Sequence, residues 1–179
     1  MRLAINKIIP ALIITIGFSF PVNAQQGRYV QDISTNNWKL WLDTAAAWRD
    51  DPLFVPPVEV KNLPINLPTG GWATLEKASG KTVHLPATVE EFYWGQNKNP
   101  FGVSGNYLGV SWFTTRLAVP LSMKGKRVAL HFESVRFRAE VFVNKQLAGY
   151  DLVNSAPFEI DISKYIIPGK LNDIAVRIT

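Results

Sequence analysis

Cysteine is absent from the chain. With it go disulfides, thiolate metal sites, cysteine nucleophiles and lipid attachment at a mature N-terminal cysteine. Histidine is almost as scarce: His84 and His131 are the only two. A metal centre needs three or four ligands, and two imidazoles so far apart in sequence do not supply them. No metal or cofactor is expected, and both histidines are read as surface or pocket-edge residues. Charge is thin as well, at 18% of residues against about 25% in an ordinary globular chain. The formal excess of five positive charges is scattered rather than gathered into a patch or stripe, which excludes nucleic acid as a partner. Finally, no apolar run reaches the roughly 20 residues of a membrane-spanning helix.

The apolar run that does occur lies at the N-terminus. Arg2 and Lys7 precede Ile8 to Phe20, which Pro10 interrupts, and the small residues Val22 and Ala24 of "PVNA" stand before "QQ". A charged start, a short apolar stretch and a small-residue cleavage site make a secretory signal peptide over residues 1–24. Its removal leaves no membrane partner. Export without disulfides points to a bacterial envelope protein, periplasmic or extracellular. Residues 25–37 are polar and turn-rich and read as a flexible approach to a domain over 38–179.

That domain begins with "WKLWLD", where Trp38, Leu40 and Leu42 share one face at period two, and Trp41 makes the other face partly apolar. "DTAAAWRDDP" reads as a short helix capped by Asp43 and limited by Pro52. Prolines 52, 56, 57, 64 and 68 then exclude a long helix or a central strand. "TGGW" reads as a turn and "KTVHLP" as a short strand. Residues 90–108 form an aromatic, Asn- and Gly-rich loop without periodicity. After Gly109 the alternation is regular: Phe113 to Val119, Val128 to Phe132, Val135 through Phe137 and Ala139 to Val143, Leu147 to Tyr150, Phe158 to Ile162, and Ile174 to Ile178. "SKYIIPG" adds a turn of helix. Short strands with turns every 8 to 12 residues, and no long helix among them, specify an all-β antiparallel sandwich or barrel.

In order and spacing, "GVSWFTTRLAVP", "GKRVALHFESVRFRAEVFVNKQLAGYD" and "APFEIDISKYIIPGKLNDIAVRI" resemble the N-terminal sugar-binding-like domain of glycoside hydrolase family 2, the family of beta-galactosidases, beta-glucuronidases and beta-mannosidases. The resemblance runs from about Trp38 to Ile178. It implies a jelly-roll sandwich of the galactose-binding type, followed in the family by an immunoglobulin-like sandwich and a catalytic barrel. Three departures stand out. Asn144-Lys145 replaces the family's Asn-Gly turn, placing lysine where a positive φ costs about 1 kcal/mol. The further strand that follows "DIAVRI" in relatives is missing. So is the barrel, which in the family supplies both catalytic carboxylates. Retaining glycosidases need two carboxylates about 5–5.5 Å apart. Glu90-Glu91 and Asp50-Asp51 are sequence neighbours that point apart and do not replace them. No catalytic residue is therefore assigned, and the chain reads as a non-catalytic piece of a retaining hydrolase. Its expected partners are carbohydrate and the downstream domains of the same enzyme. The alternative is a free-standing carbohydrate-binding module.

Candidate sugar contacts are Trp94, Asn97, Asn99 and Tyr107 in "YWGQNKNPFGVSGNY", an aromatic plate with amides for hydroxyls. The resemblance implies that a loop near this place, as in some relatives, lends an asparagine to the sugar in the barrel's pocket. A substrate rim and ordinary loop packing both fit these four. Arg136, Arg138 and Glu140 sit at spacing two, opposite the apolar row. They suit either a charged sugar or the barrel, or else form a cross-strand charge ladder on an exposed or domain-facing surface, worth under about 1 kcal/mol per pair. Trp38, Trp41, Trp72 and Trp112 are assigned to the core, and Asp151 to a turn cap. Because the missing strand would leave an edge unpaired, a protein of residues 25–179 is expected to melt broadly and tend to aggregate. A monomer with a sharp cooperative melt would contradict this.

Overall fold

A computed structural model describes residues 28–51, 59–93 and 107–179. Residues 32–179 belong to one compact unit. Its strands are β1 (Trp38–Asp43), β2 (Lys81–Val83), β3 (Val110–Ala118), β4 (Ala129–Phe132), β5 (Ala139–Val143), β6 (Gln146–Asp151), β7 (Phe158–Asp161) and β8 (Leu171–Ile178), with short helices α1 (Trp72–Lys77) and α2 (Val89–Tyr93). Six strands form one sheet in the order β2-β1-β3-β8-β5-β6, and β4 and β7 form a second. Every pairing is antiparallel. The expected all-β sandwich is the fold.

Alternation puts one set of side chains between the sheets. Trp38, Leu40, Phe113, Leu117, Ala139, Val141, Val143, Ile174 and Val176 of the large sheet meet Leu130 and Ile160 of the small one and Ile162 just beyond it. Gly149 of β6 lets the sheets close up here. A β-carbon on it would stand 2.8 Å from Ile160 Cδ1, nearer than packed atoms tolerate.

The other face of the large sheet is covered too. Trp41, Val110, Trp112, Phe142, Leu147 and Ala175 pack against Ala46, Trp48, Val60, Leu63, Trp72 and Leu75. The proline-rich excursion is thus a strap with its own hydrophobic core. Trp72 sets its edge against Trp112 at 5.7 Å and against Phe142 at 5.2 Å, the T-shaped geometry aromatic quadrupoles prefer. The four tryptophans assigned to the core lie in or against it.

Several expectations are corrected. No helix follows Asp43: residues 44–50 are turns and irregular chain. A helix lies instead at α1, which starts on the last residue of the "TGGW" turn and runs on to Lys77. Asp43 ends β1 nearly buried, and its Oδ2 accepts from Thr69 N at 2.8 Å and Trp112 Nε1 at 3.3 Å. A carboxylate that tethers the strap from a strand end is not available to start a helix. Phe137 does not join the apolar row; it is 54% exposed with φ +65°, and β5 starts only at Ala139. A residue in the left-handed region breaks the period-two alternation that the row assumed. Strand β8 already has a neighbour on each side. Among the described residues the open edges are those of β2, β6, β4 and β7.

The Asn144-Lys145 turn keeps its positive φ values, +49° and +68°, so lysine accepts the strained conformation. Asn144 is bound on three sides. Its Nδ2 donates to Tyr165 O and Asn172 Oδ1, both at 2.8 Å, and its Oδ1 accepts from Asp173 N at 3.0 Å. Asn172 is fully buried. Its Oδ1 also accepts from Ile167 N at 2.6 Å, and its Nδ2 donates to Ile167 O and Lys170 O. Asn172→Leu, nearly equal in volume, strands these groups and is expected to lower stability by about 2–4 kcal/mol in denaturant melts. A loss below about 0.5 kcal/mol would mean that water reaches and satisfies them.

Candidate functional site

One end of the large sheet gathers most of the chemistry-bearing side chains. Asp43 pairs with Val110, Ser111 with Ile178, Ile178 with Ala139, and Ala139 with Asp151. The end of β1, the start of β3, the ends of β8 and β6 and the start of β5 therefore line up. The stretch carrying three of the four candidate sugar contacts enters β3 at this end. Trp94, Asn97 and Asn99 lie outside the described residues. Tyr107 is half-buried, and its hydroxyl donates to Val110 O at 3.0 Å. Burial, reinforced by the Asp43 carboxylate and by Tyr93, pushes its phenol up to about 12. Tyr107 thus fixes the loop's re-entry into β3.

One register row inward, Trp41, Trp112, Arg177, Glu140 and Tyr150 run side by side across five strands on the strap side. Arg177 and Glu140 are each 2% exposed, and around them closes an ionic group. Arg177 Nη1 lies 2.8 Å from Asp51 Oδ2 and 3.3 Å from Glu140 Oε1. Arg138 Nη2 pairs with Glu140 Oε1, and its Nη1 is 3.7 Å from Asp51 Oδ2. Asn66 Nδ2 donates to Glu140 Oε1 at 2.8 Å. Burial raises the Glu140 carboxyl above its ordinary range, more than Arg177, Arg138 and Asn66 lower it, and Asp51 adds to the rise.

The charge-ladder reading needs correction at this point. Arg138 and Glu140 do share a face, but that face is buried under the strap. Arg136 stands apart on the exposed side of Phe137 with its guanidinium 5.5 Å from the ring. Arg177, Asp51 and Asn66 were missed. Arg177 carried a signal: a charge in the otherwise apolar tail of β8, in register with Glu140 once β5 and β8 are paired. Asp51 and Asn66 carried none, since they arrive on irregular chain.

Chemically, the ionic group does not resemble a glycosidase pair. Asp51 and Glu140 approach one another, but both are held by guanidinium groups, and the cavity beside Glu140, lined by Leu63, Pro64, Arg138, Leu147 and Tyr150, measures about 10 Å³, the room of about one water. A shallow, open depression of about 430 Å³ lies against Trp41, Thr74, Lys77 and Ser79. Among the described residues no three His, Asp or Glu side chains gather to hold a metal. His131 lies 3.5 Å from Glu133 and 3.6 Å from Glu159, half-exposed, and His84 is exposed. Asp151 accepts from Val153 N at 2.7 Å, a turn cap as expected.

Residues 45–179 match the sequence model for the sugar binding domain of glycosyl hydrolases family 2. A beta-galactosidase of Thermoanaerobacter pseudethanolicus is 40% identical over 74 residues, which is 41% of this chain and 10% of that protein. A putative beta-glucuronidase of Formosa agariphila is 40% identical over 104 residues, 58% of this chain and 12% of that protein. Among solved structures, Lactobacillus rhamnosus beta-glucuronidase superposes with a TM-score of 0.53 at 25% identity over 79% of this chain and 20% of its own. A Ruminococcus gnavus beta-glucuronidase superposes at 0.55 and 20% identity, over 84% and 22%, a likeness of fold. The matched stretches thus cover 10% and 12% of the length of these curated relatives.

Tyr107 offers a test of the geometry. A phenol held above its ordinary value of 10 stays protonated in the folded state while the unfolded chain ionises. Its contribution to stability is therefore present below pH 10 and lost as pH rises toward 12. Tyr107→Phe is expected to flatten the alkaline limb of the melting-temperature profile. An unchanged limb would mean that the hydroxyl is not held as described.

Proposed function

Since this chain belongs to glycosyl hydrolase family 2 through that family's sugar-binding domain, we propose that it is the N-terminal, non-catalytic region of an exported enzyme of carbohydrate metabolism. In this reading the parent protein hydrolyses O-glycosyl bonds by a retaining mechanism, in a catalytic barrel separate from this domain. The observation that carries the proposal is the family match over 45–179, with matched stretches that cover only 10% and 12% of the curated relatives. The printed names of those relatives make a beta-glucuronide or a beta-galactoside the substrate class to try first.

The domain's part is to brace the barrel and shape the rim of its pocket. Trp94, Asn97 and Asn99 supply the rim's aromatic plate and amides, and Tyr107 anchors the loop that bears them. Supporting this is the placement of Tyr107 at the sheet end where that loop enters β3. The burial of Glu140, and the guanidinium groups that hold both it and the partly buried Asp51, support the non-catalytic assignment. The sugar and the downstream domains of the same enzyme are the partners. The leader directs the protein to the periplasm or beyond.

Incubated alone with nitrophenyl beta-glucuronide and beta-galactoside, the chain is expected to release no nitrophenol. Turnover that survives repurification would contradict the non-catalytic assignment. On expression in a bacterium with intact export, the mature protein is expected to begin at Gln25. An intact 20.0 kDa chain retained in the cytoplasm would contradict export.

A further inference from the structure

The backbone at Phe137 is strained, and its side chain is not buried in return. At φ +65° a residue with a β-carbon sits in the left-handed region, which costs it on the order of 1 kcal/mol or more. A core aromatic would recover that by packing, but Phe137 is 54% exposed. The strain is imposed from the facing loop. Phe137 N donates to Asn154 Oδ1 at 3.2 Å, and Ser155 N donates to Val135 O at 3.2 Å. Ser155, itself at φ +61°, donates its hydroxyl to the same Asn154 oxygen at 2.9 Å. Two loops, each with a left-handed non-glycine residue, are thus clasped together so that an aromatic ring is held out to solvent.

The ring does not stand alone. The Arg136 guanidinium lies 5.5 Å from its centroid, and no carboxylate pairs with Arg136 among the described residues. Val153, 56% exposed, lies on the same facing loop. All of this sits at the sheet end already described: Arg138, the next residue, exchanges two backbone hydrogen bonds with Thr179. Strand β5 is two places from β3 in the sheet, about 10 Å at ordinary strand spacing. The platform and the loop carrying Trp94, Asn97 and Asn99 therefore leave the same end of the same sheet.

We propose that Arg136 and Phe137, clasped by Asn154, form an accessory contact for an acidic oligosaccharide, with the ring taking a sugar's C–H face and the guanidinium its carboxylate. The inference rests on the sugar-rim reading and adds to it a preference for anionic sugar. An aromatic plate alone would not select by charge. An unpaired guanidinium stacked on that plate does, since it makes charge-assisted hydrogen bonds to a carboxylate and none to a neutral hydroxymethyl group of comparable strength.

The test is a backbone NMR titration of the whole chain with three uronate-bearing oligosaccharides: oligogalacturonate, oligoalginate and a hyaluronan tetrasaccharide. Methyl-esterified oligogalacturonate is the neutral control. At least one acidic ligand is expected to shift the amides of Phe137, Val153 and Asn154 at millimolar concentration. Arg136→Gln and Phe137→Gly should each weaken that binding by about tenfold, or 1.4 kcal/mol. Phe137→Gly suits the left-handed backbone and keeps the fold. Equal shifts with the neutral ester, or binding untouched by Arg136→Gln, would overturn the proposal. Shifts confined to residues 94–110, or to the depression at Trp41 and Lys77, would overturn the platform yet leave sugar recognition standing, and no shift anywhere would count against both. Shifts at Phe137 that depend on protein concentration without ligand would assign the patch to self-association and overturn it too.

Discussion

Two arginines and two carboxylates, nearly sealed from water, join the outer layer of this domain to its sheet. Asp51 comes from the strap, Arg177 from β8, and Arg138 and Glu140 from β5 or its approach, while Asn66 adds a second strap contact. Burying such charges is costly, and their mutual attraction need not exceed the cost of removing them from water. What the group contributes is placement. The strap is proline-rich, and among its described residues no strand pairing sets its place on the sheet. A carboxylate that must meet Arg177 and an amide that must meet Glu140 leave far fewer arrangements. Removing one partner leaves another charge buried and uncompensated, the more expensive defect.

Everything that forms the candidate site depends on that placement. Asp43 accepts from the strap at Thr69 and from Trp112 in the sheet, so strap, β1 and β3 converge beside the ionic group. Tyr107 then fixes the chain's entry into β3 beside them. The sheet is covered on both faces, which leaves its strand ends and loops for recognition, as scaffolds of this kind commonly do.

The strands were legible because a half-buried strand writes itself at period two. Trp38, Leu40 and Leu42, or Val141 and Val143, needed only alternation to be placed, and Trp41 correctly marked a second apolar face. That face's cover was not legible, because α1 and the strap hold their side chains in place by tertiary contact rather than by periodicity. Phe137 misled for a related reason: it looks apolar and in phase, and only the clasp from Asn154 shows that the backbone turns left-handed there. Arg138 and Glu140 were placed on one face correctly but on the wrong side of the solvent boundary, since the residues that bury them come from Asp51 and Asn66. The family was legible from the run between Gly125 and Asp161, where "VN", "GY", "PF" and "DIS" coincide with the alternation.

The account turns on the strap being held by charge as well as by packing, and native-state hydrogen exchange on Arg177→Met measures this directly. The strap amides of Leu63, Thr74 and Leu75, bonded within the strap to Val60 O and Gly71 O, are predicted to lose protection, while amides of β3 and β8 keep theirs. Unchanged protection in the strap, or an equal loss across strap and sheet, would contradict it.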